Sequence, residues 1–408
     1  MGRDSRECLP ACYSSPVNDL AKDGGRPLRV LLSAGEASGE MYGAALLEQL
    51  RAQASAAGWQ GVECFGLGGE KMRQAGCRTV VDANQVAVLG LFEVLSHLPT
   101  LYREFHSLVD EARRQKPDVA VLIDFPDWNL RLARQLHKLG IPVVYYVSPQ
   151  LWAWRKGRVE QVRRHVRQML VIFPFEVEFY RSHGVEVEFV GHPLGEVVPP
   201  VPEVGERPSI ALLPGSRRKE IRYNLPEMLA TAARFAGRYE LQMPVASTVE
   251  EGWLRQQIAE LAPQGLPLEV HLRPDARQTL VSARAAIVAS GTATVEAAVA
   301  GTPFAMVYRL SPLTYAVGKR LVKVPYYGMV NLIASRQVVP EMIQENFTAE
   351  RLAPVLEELL AEGPRRRAML DDLRQVRESL RASAGESAAG RAAAAVLRAA
   401  WQNSAAKA

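Results

Sequence analysis

The sequence contains no apolar run of about 18 residues, the length that a helix needs to cross a bilayer. Its first 27 residues lack the apolar segment of a secretory signal peptide, and we expect them to form a disordered leader. Only four residues are cysteine, and they lack the paired spacing of a metal site: Cys8, Cys12, Cys64 and Cys77. We therefore expect reduced thiols, as in a cytosolic protein.

The sequence also lacks the short motifs of several enzyme classes. No G-x-x-x-x-G-K-S/T occurs, and no G-x-G-x-x-G follows the first predicted strand, which argues against a P-loop NTPase and a nicotinamide enzyme. Neither H-E-x-x-H, a G-x-S-x-G elbow nor a cluster of metal ligands is present. Asp124 and Asp127 could coordinate Mg²⁺, but a base and a helix cap explain them as well, so we expect no metal.

The overall amino-acid composition is typical of a soluble globular protein. Hydrophobic residues make up 48% and charged residues 23% of the 408 residues, which predicts a sizeable core and about two to three domains. The net charge of +5 fits anionic partners such as phosphates, a lipid surface or nucleic acid, and selects none of them. Nucleic acid fits poorly, because the basic residues are scattered and no aromatic-rich surface accompanies them.

Short apolar runs alternate with helical patterns along most of the chain, which is typical of a doubly wound α/β fold. A proline-rich segment at residues 196–208 interrupts this alternation. We therefore predict an N-terminal Rossmann-like domain at 28–195, a linker at 196–208, a second Rossmann-like domain at 209–345 and C-terminal helices at 346–408.

One β-α-β unit begins with an almost wholly apolar strand that ends in Asp124. Asp127 or Asn129 is expected to cap the following helix, and the next strand leads to Trp152 and Trp154. Ligands of open α/β sheets bind at the carboxyl ends of the strands. Asp124 is therefore a candidate catalytic base, and the two indoles are expected to form a wall beside it.

Three strand-loop-helix turns have the composition of an anion site, because small residues expose backbone N–H groups at a helix start. The first domain contains Ser33–Glu40, and the second contains Gly215–Arg217 and Ser290–Thr292. Arg217 adds a guanidinium suited to phosphate, and Glu296 lies one helical turn beyond its loop, where a carboxylate suits a ribose diol. A structural tight turn explains each loop equally well when it is considered alone.

Three further features have two interpretations each. The apolar stretch Val86–Leu101 is either a buried helix or a patch that dips into a membrane surface or holds acyl chains. The basic residues of the helix after Arg155, and those around Lys319, form either solvated faces or phosphate contacts. His192 is either a structural residue of the domain junction or a catalytic one.

Eight motifs resemble those of the lipid-A-disaccharide synthase family, and together they are highly specific. The resemblance runs from about Arg29 to about Leu360. The motifs are SAGEASGE at Ser33–Glu40, IDFPDWN at Ile123–Asn129, YVSPQLWAWRKGRV at Tyr146–Val159, FVGHPL at Phe189–Leu194, LLPGSR at Leu212–Arg217, ASGTATVE at Ala289–Glu296, YR at Tyr308–Arg309 and KRLVKVPYYGMVNLIA at Lys319–Ala334.

The resemblance implies an inverting glycosyltransferase of the GT-B architecture, with two Rossmann-like domains facing across a cleft. It implies transfer of 2,3-diacylglucosamine from its UDP-sugar to 2,3-diacylglucosamine 1-phosphate, giving the β-1,6-linked lipid A disaccharide 1-phosphate and UDP. It further implies an enzyme without metal or cofactor, located at the cytosolic face of the inner membrane, and a homodimer that exchanges C-terminal segments. The leader and the tail after Leu380 depart from the family pattern.

By the same resemblance, Asp124 is the catalytic base. The residues expected to bind the donor or position the substrates are Glu36, Ser38, Gly39, Gly215, Ser216, Arg217, Ser290, Gly291, Thr292, Glu296 and Asn331. The residues expected to contact a membrane or acyl chains are Val88, Leu89, Leu91, Phe92 and Leu95. Two rival functions share the nucleotide loops: a soluble GT-B enzyme such as a UDP-GlcNAc 2-epimerase, which needs no apolar patch, and a binding scaffold without turnover.

Overall fold

The computed structural model describes residues 26–56, 59–87, 94–153, 156–196, 209–263, 268–321, 324–382 and 385–407. The predicted leader up to residue 25 and residues 197–208 of the predicted linker lie outside these ranges. The predicted domain boundaries therefore stay predictions.

The described residues form two parallel sheets. The strands are β1 (Leu28–Ala34), β2 (Val62–Gly68), β3 (Arg78–Asp82), β4 (Val119–Ile123), β5 (Val143–Tyr146), β6 (Gln168–Val171), β7 (Val187–Phe189), β8 (Ser209–Leu213), β9 (Glu240–Pro244), β10 (Val270–Arg273), β11 (Ala283–Ala289), β12 (Phe304–Tyr308) and β13 (Glu341–Ile343). The strand orders are β3-β2-β1-β4-β5-β6-β7 and β10-β9-β8-β11-β12-β13. Each sheet follows the Rossmann order, so the predicted fold class of two doubly wound α/β domains is confirmed.

Helices connect the strands and form the C-terminal segment. They are α1 (Ala37–Ala56), α2 (Glu70–Gln74), α3 (Ala83–Ala87), α4 (Val94–Gln115), α5 (Pro126–Lys138), α6 (Val159–His165), α7 (Phe175–Ser182), α8 (Pro193–Glu196), α9 (Arg218–Ala233), α10 (Glu251–Leu261), α11 (Ala276–Ser282), α12 (Thr292–Ala300), α13 (Pro312–Leu321), α14 (Met329–Ala334), α15 (Ala349–Leu360), α16 (Pro364–Ser379) and α17 (Ala388–Lys407). The helical C-terminal segment was predicted.

The central strands are apolar because helices cover both faces of the sheets. Every residue of β4 and β8 is buried, as expected for parallel strands that read as continuous apolar runs. Helix α9 begins at Arg218, and its first two turns carry mostly polar side chains at the surface. Helix α4 contains the end of the apolar stretch Val86–Leu101 and continues to Gln115, while residues 88–93 lie outside the described chain.

The chain divides into two compact units. One comprises Met1–Phe125, Gln135–Val143 and Ala393–Ala408, and the other comprises Pro126–Arg134 and Val144–Ala392. Within the first unit, the indole of Trp401 packs on that of Trp59 with ring centroids 5.3 Å apart. Asn403 Nδ2 also donates to the backbone oxygen of Asp118 over 3.2 Å. From Ala393 on, the last helix is therefore part of the first unit.

The second unit has its apolar core on both faces of the sheet β8–β13. Buried side chains of α9, α12, α15 and α16 pack against the apolar strand residues, and Phe235, Phe304 and Phe347 are among the largest fully buried ones. This core fixes the strand ends from which the loops of the candidate site emerge.

The prediction of reduced thiols is wrong for one pair of cysteines. Cys64 and Cys77 form a disulfide, and their Cα atoms are 4.7 Å apart. The physical reason is strand pairing: Phe65 of β2 lies opposite Arg78 of β3, so the residues immediately before them are also neighbours. Spacing along the sequence does not reveal this contact.

Candidate active site

Asp124 follows the last residue of β4, at the carboxyl edge of the sheet. Asp124 and Phe125 both have left-handed backbone conformations, with φ of 45° and 48°. This conformation costs non-glycine residues on the order of 1–3 kcal/mol each, and it persists only where the surroundings enforce it. The two residues turn the chain sharply from β4 into α5, which begins at Pro126.

The turn after β4 lies against the loop after β1. The two strands pair in parallel, with Ala34 opposite Ile123. A Cβ atom on Gly35 would lie 2.4 Å from a ring carbon of Phe125, so only glycine leaves room for that ring. The contact brings the loop that carries Glu36 to the same strand ends as Asp124.

The electrostatics of this edge favour a basic carboxylate. The pKa of Asp124 is raised to about 6, chiefly by burial and also by the nearby negative charge of Glu36, while a hydrogen bond from the backbone of Phe125 acts in the opposite direction. A general base is most effective when its pKa lies near the operating pH. At neutral pH, Asp124 is thus mostly ionised and able to accept a proton.

The other predicted residues of this loop divide into exposed and inward-facing ones. Glu36 and Ser38 are exposed at the start of α1, where a ligand can reach them. Gly39 is buried, and a Cβ atom there would lie 3.4 Å from Ala34 Cβ and 3.6 Å from a methyl group of Ile123. Gly39 therefore allows α1 to pack closely on β1 and β4.

The predicted helix cap after Asp124 is wrong. The residue before α5 is Phe125, and Asp127 and Asn129 lie inside the first turn instead of preceding it. Pro126 starts the helix because its fixed φ suits the first helical position and its missing N–H is not needed there. The carboxylate of Asp127 instead forms an ion pair with Arg158 at 2.6 Å.

The predicted indole wall is only partly described, since Trp154 lies outside the described residues. The indole Nε1 of Trp152 donates to Glu176 Oε1 over 3.2 Å, and its ring meets Phe175 edge to face at 5.0 Å. Glu176, which the sequence analysis missed, is buried, and burial raises the pKa of its carboxyl to about 8. Trp152 is thus held by α7 of its own unit.

The two predicted anion loops of the second unit emerge at one edge of its sheet. Strands β8 and β11 pair in parallel, with Leu213 opposite Val288, so the loops that follow them are neighbours. Gly215 has φ of 125° and Gly291 has φ of 146°, conformations that favour glycine. The structure thus brings together the two loops that the sequence singled out.

The first of these loops combines an exposed guanidinium with an internal carboxylate. The Arg217 side chain is 79% exposed, and its Nη1 donates to Glu220 Oε1 over 2.9 Å. The other oxygen of Glu220 accepts the backbone N–H of Ser216 at 3.3 Å. Glu220 was missed by the sequence analysis, and it orients the donors of the loop.

The second loop leads directly into α12. Gly291 is the residue before the helix and has no side chain to cover its first N–H groups. Thr292 is exposed, and Ser290 donates its hydroxyl to the backbone oxygen of Tyr327 over 3.3 Å. Burial raises the pKa of Glu296, and nearby Asp275 raises it further while Arg277 opposes both.

Asn224 connects these loops to the next strand end and was also missed. Its buried amide donates to the backbone oxygen of Pro214 over 2.9 Å and accepts the backbone N–H of Arg309 at 3.0 Å. His192, for which the sequence leaves a structural and a catalytic interpretation, directly precedes α8. Its imidazole is buried and accepts the N–H of Leu194 at 3.0 Å, and burial lowers its pKa to about 4.

The predicted apolar patch lies mostly outside the described residues. Val88, Leu89, Leu91 and Phe92 are outside them, and so is the side chain of Leu95. At the end of the stretch Val86–Leu101, Leu98 of α4 is 48% exposed, and Tyr102, just beyond the stretch, is 68% exposed. None of the described helices is both long enough and apolar enough to cross a membrane.

Among the described residues, no group of three or more His, Cys, Asp or Glu side chains is arranged to hold a metal ion. Part of the basic run around Lys319 is not described either: Lys323 lies outside the described ranges, and so does the side chain of Arg320.

Comparison with known proteins gives a family match over most of the chain. The family model for lipid-A-disaccharide synthetase matches residues 30–396. The lipid-A-disaccharide synthase of Koribacter versatilis (strain Ellin345) is 57% identical over 381 residues, which cover 91% of this chain and 98% of that relative. The enzyme of the same name from Acidobacterium capsulatum is 49% identical over 383 residues, covering 89% of this chain and 94% of the relative.

Solved structures agree on the fold. The glycotransferase of kitacinnamycin superposes with a TM-score of 0.61 over 92% of this chain and 100% of its own, at 16% sequence identity. At that level of identity the likeness concerns the fold alone.

Proposed function

This chain belongs to the lipid-A-disaccharide synthase family of glycosyltransferases, and we propose that it transfers 2,3-diacylglucosamine from its UDP-sugar to 2,3-diacylglucosamine 1-phosphate. The product is the β-1,6-linked disaccharide 1-phosphate of lipid A biosynthesis. The observation that carries this proposal is Asp124 at the end of β4, where burial and Glu36 raise its pKa to about 6. A basic carboxylate at the ligand edge of a sheet is what activation of a sugar hydroxyl requires.

In the proposed mechanism, Asp124 accepts the proton of the acceptor hydroxyl while the hydroxyl oxygen attacks the anomeric carbon of the donor. The bond from that carbon to the phosphate oxygen breaks, and UDP leaves with the electron pair. Attack from the opposite face inverts the anomeric configuration. Arg217 and the N-terminal N–H groups of α9 and α12 stabilise the departing diphosphate, as dipoles and cations aimed at developing charge do.

We also propose that the reaction needs no metal, because Arg217 and the two helix N-termini supply positive charge at the diphosphate. A micelle assay tests both proposals by following UDP release and the disaccharide by mass spectrometry. Release that depends on the acceptor and persists in EDTA supports them. Release without acceptor would contradict the transferase, and a loss in EDTA that Mg²⁺ restores would contradict the metal-independent mechanism alone.

The proposed location is the membrane surface at the cytosolic face of the inner membrane, where both lipid substrates present their sugars. The exposed Leu98 and Tyr102 lie one helical turn apart on α4, at the end of the stretch Val86–Leu101 and just beyond it, and support this proposal. Flotation with anionic vesicles tests it. The double variant Leu98→Glu, Tyr102→Glu should float less than the unmodified chain, and equal flotation would contradict this role.

The homodimer with exchanged C-terminal segments also remains a proposal. The contact of Trp401 with Trp59 is made within this chain, and an exchange would form the same contact between two chains. Light scattering of the purified protein distinguishes a monomer from a dimer.

A further inference from the structure

The amide of Asn331 is fully occupied within the protein. Its Nδ2 donates to the backbone oxygen of Val339 over 2.9 Å and to Glu341 Oε1 over 2.8 Å. Its Oδ1 accepts the N–H groups of Val338 at 2.7 Å and Val339 at 2.9 Å. A primary amide has two donor and two acceptor positions, and all are used. Asn331 is also completely buried, so a nucleotide would have to displace one of these partners.

Glu341 continues the chain of hydrogen bonds from Asn331 toward the candidate donor loop. Its Oε1 accepts the N–H of Gly328 at 2.9 Å, and its Oε2 accepts the N–H of Tyr327 at 3.0 Å. The backbone oxygen of Tyr327 in turn accepts the hydroxyl of Ser290 at 3.3 Å. One carboxylate thus fixes two consecutive peptide groups, and the second of them, which carries the Tyr327 oxygen, faces the loop after β11.

We infer that Asn331 and Glu341 are positioning residues that act as one unit, holding the Tyr327–Gly328 segment against Ser290 and so shaping the donor site without touching the nucleotide. The inference rests on the proposed function, in which the Ser290–Thr292 loop binds UDP. It adds Glu341 to the residues that shape the donor site, and it replaces the expected direct contact of Asn331 with the nucleotide by an indirect one.

The indirect role is distinguishable from direct contact because two residues of one hydrogen-bonded unit have non-additive effects. Once either side chain is removed, the Tyr327–Gly328 segment is already released, and removing the other has little further effect. A direct contact of Asn331 with UDP would be lost separately from the contribution of Glu341, and the two effects would then multiply.

The experiment is a double-mutant cycle on the full chain, with the Kd of UDP measured by titration calorimetry. Asn331→Ala and Glu341→Ala are each expected to weaken UDP binding about tenfold, and the double variant by the same factor and not a hundredfold. Glu345→Ala is the matched control, because Glu345 is exposed just after β13; it should leave the Kd unchanged. Donor KM should rise about tenfold while kcat changes less than twofold.

A hundredfold loss in the double variant, or an unchanged Kd in Glu341→Ala, would overturn the inference and leave the proposed function intact. Absence of UDP binding in the unmodified chain would overturn the donor-site assignment and the inference with it. Should one alanine variant fail to fold, a variant of the same shape replaces that one alone in the cycle, Asn331→Asp or Glu341→Gln. Asp loses the Nδ2 donor to Glu341, and Gln places an NH2 group against one of the N–H groups that the carboxylate accepts.

Discussion

The two units each have a carboxylate at a strand end, Asp124 after β4 and Glu220 after β8, and the charges beside these two carboxylates differ. After β4, the carboxyl of Asp124 has a second carboxylate, Glu36, as a neighbour, and its pKa is raised. After β8, the carboxylate of Glu220 instead meets Arg217 and a backbone N–H. Both sites lie at the carboxyl edge of a parallel sheet with the Rossmann strand order. Strand order therefore sets where a site forms, and the charges beside the strand end decide whether it accepts a proton or holds an anion.

The largest expected effect on either site is the loss of turnover in Asp124→Asn, which removes the proton acceptor and keeps the shape of the side chain. Turnover should fall by about 10²–10⁴, the usual contribution of general-base assistance, while the Kd of UDP stays the same. Initial rates and calorimetry measure the two quantities. Asp127→Asn is the matched control, because that carboxylate pairs with Arg158. Full turnover in the purified Asp124→Asn variant would remove this residue from its role.

A smaller effect, on the opposite kind of site, is expected from Arg217→Ala. Hydrogen bonds to charged groups contribute about 1.5–3 kcal/mol, so UDP should bind roughly 10- to 150-fold more weakly. Arg218→Ala serves as the comparison, since Arg218 pairs with Glu250 at 2.8 Å and lies over the Trp253 ring. If the two variants bind UDP equally well, Arg217 does not bind the diphosphate.

The smallest expected effect is a shift in the pH dependence of kcat/KM, which reports on the charge beside Asp124. The base works when ionised, so kcat/KM should fall as the pH drops through about 6, the pKa of Asp124. Glu36→Gln removes the neighbouring negative charge and should move this break to lower pH. The break should stay above the ordinary value of 3.8, because burial is the larger cause of the shift. A pH–rate profile measures this break. Glu48→Gln, at an exposed position of α1, is the control. A break that does not move in Glu36→Gln would exclude the influence of Glu36 on Asp124.

The strands were predictable because helices cover both faces of each sheet. Buried parallel strands are continuous apolar runs, and β4, β8 and β12 are short runs of this kind. The loops of the candidate site were predictable for a related reason, because small residues at a strand end mark a helix start. Strand pairing then brings Gly215 and Gly291 to one edge of the sheet.

The features that escaped prediction depend on residues far apart in the sequence. Asn224 joins Pro214 to Arg309, and Glu341 holds peptide groups more than ten positions away; neither has a local signal. The cap of α5 was mispredicted because the left-handed turn at Phe125 places its ring against Gly35, where a side chain would clash with it. Local sequence patterns predicted the strands and the loops of the candidate site. The polar groups that support these loops are set by tertiary contacts.

The place of the last helix has a consequence for the newly made chain. Residues up to Phe125 and from Ala393 belong to one unit, and synthesis must add 267 residues (392 − 125) between them. At roughly 5–20 residues per second, that interval is about 13–53 s. Throughout it, Trp59 lacks its contact with Trp401, although its side chain is only 4% exposed in the finished fold. The unit that the ribosome starts first is completed only when the C-terminal residues have emerged.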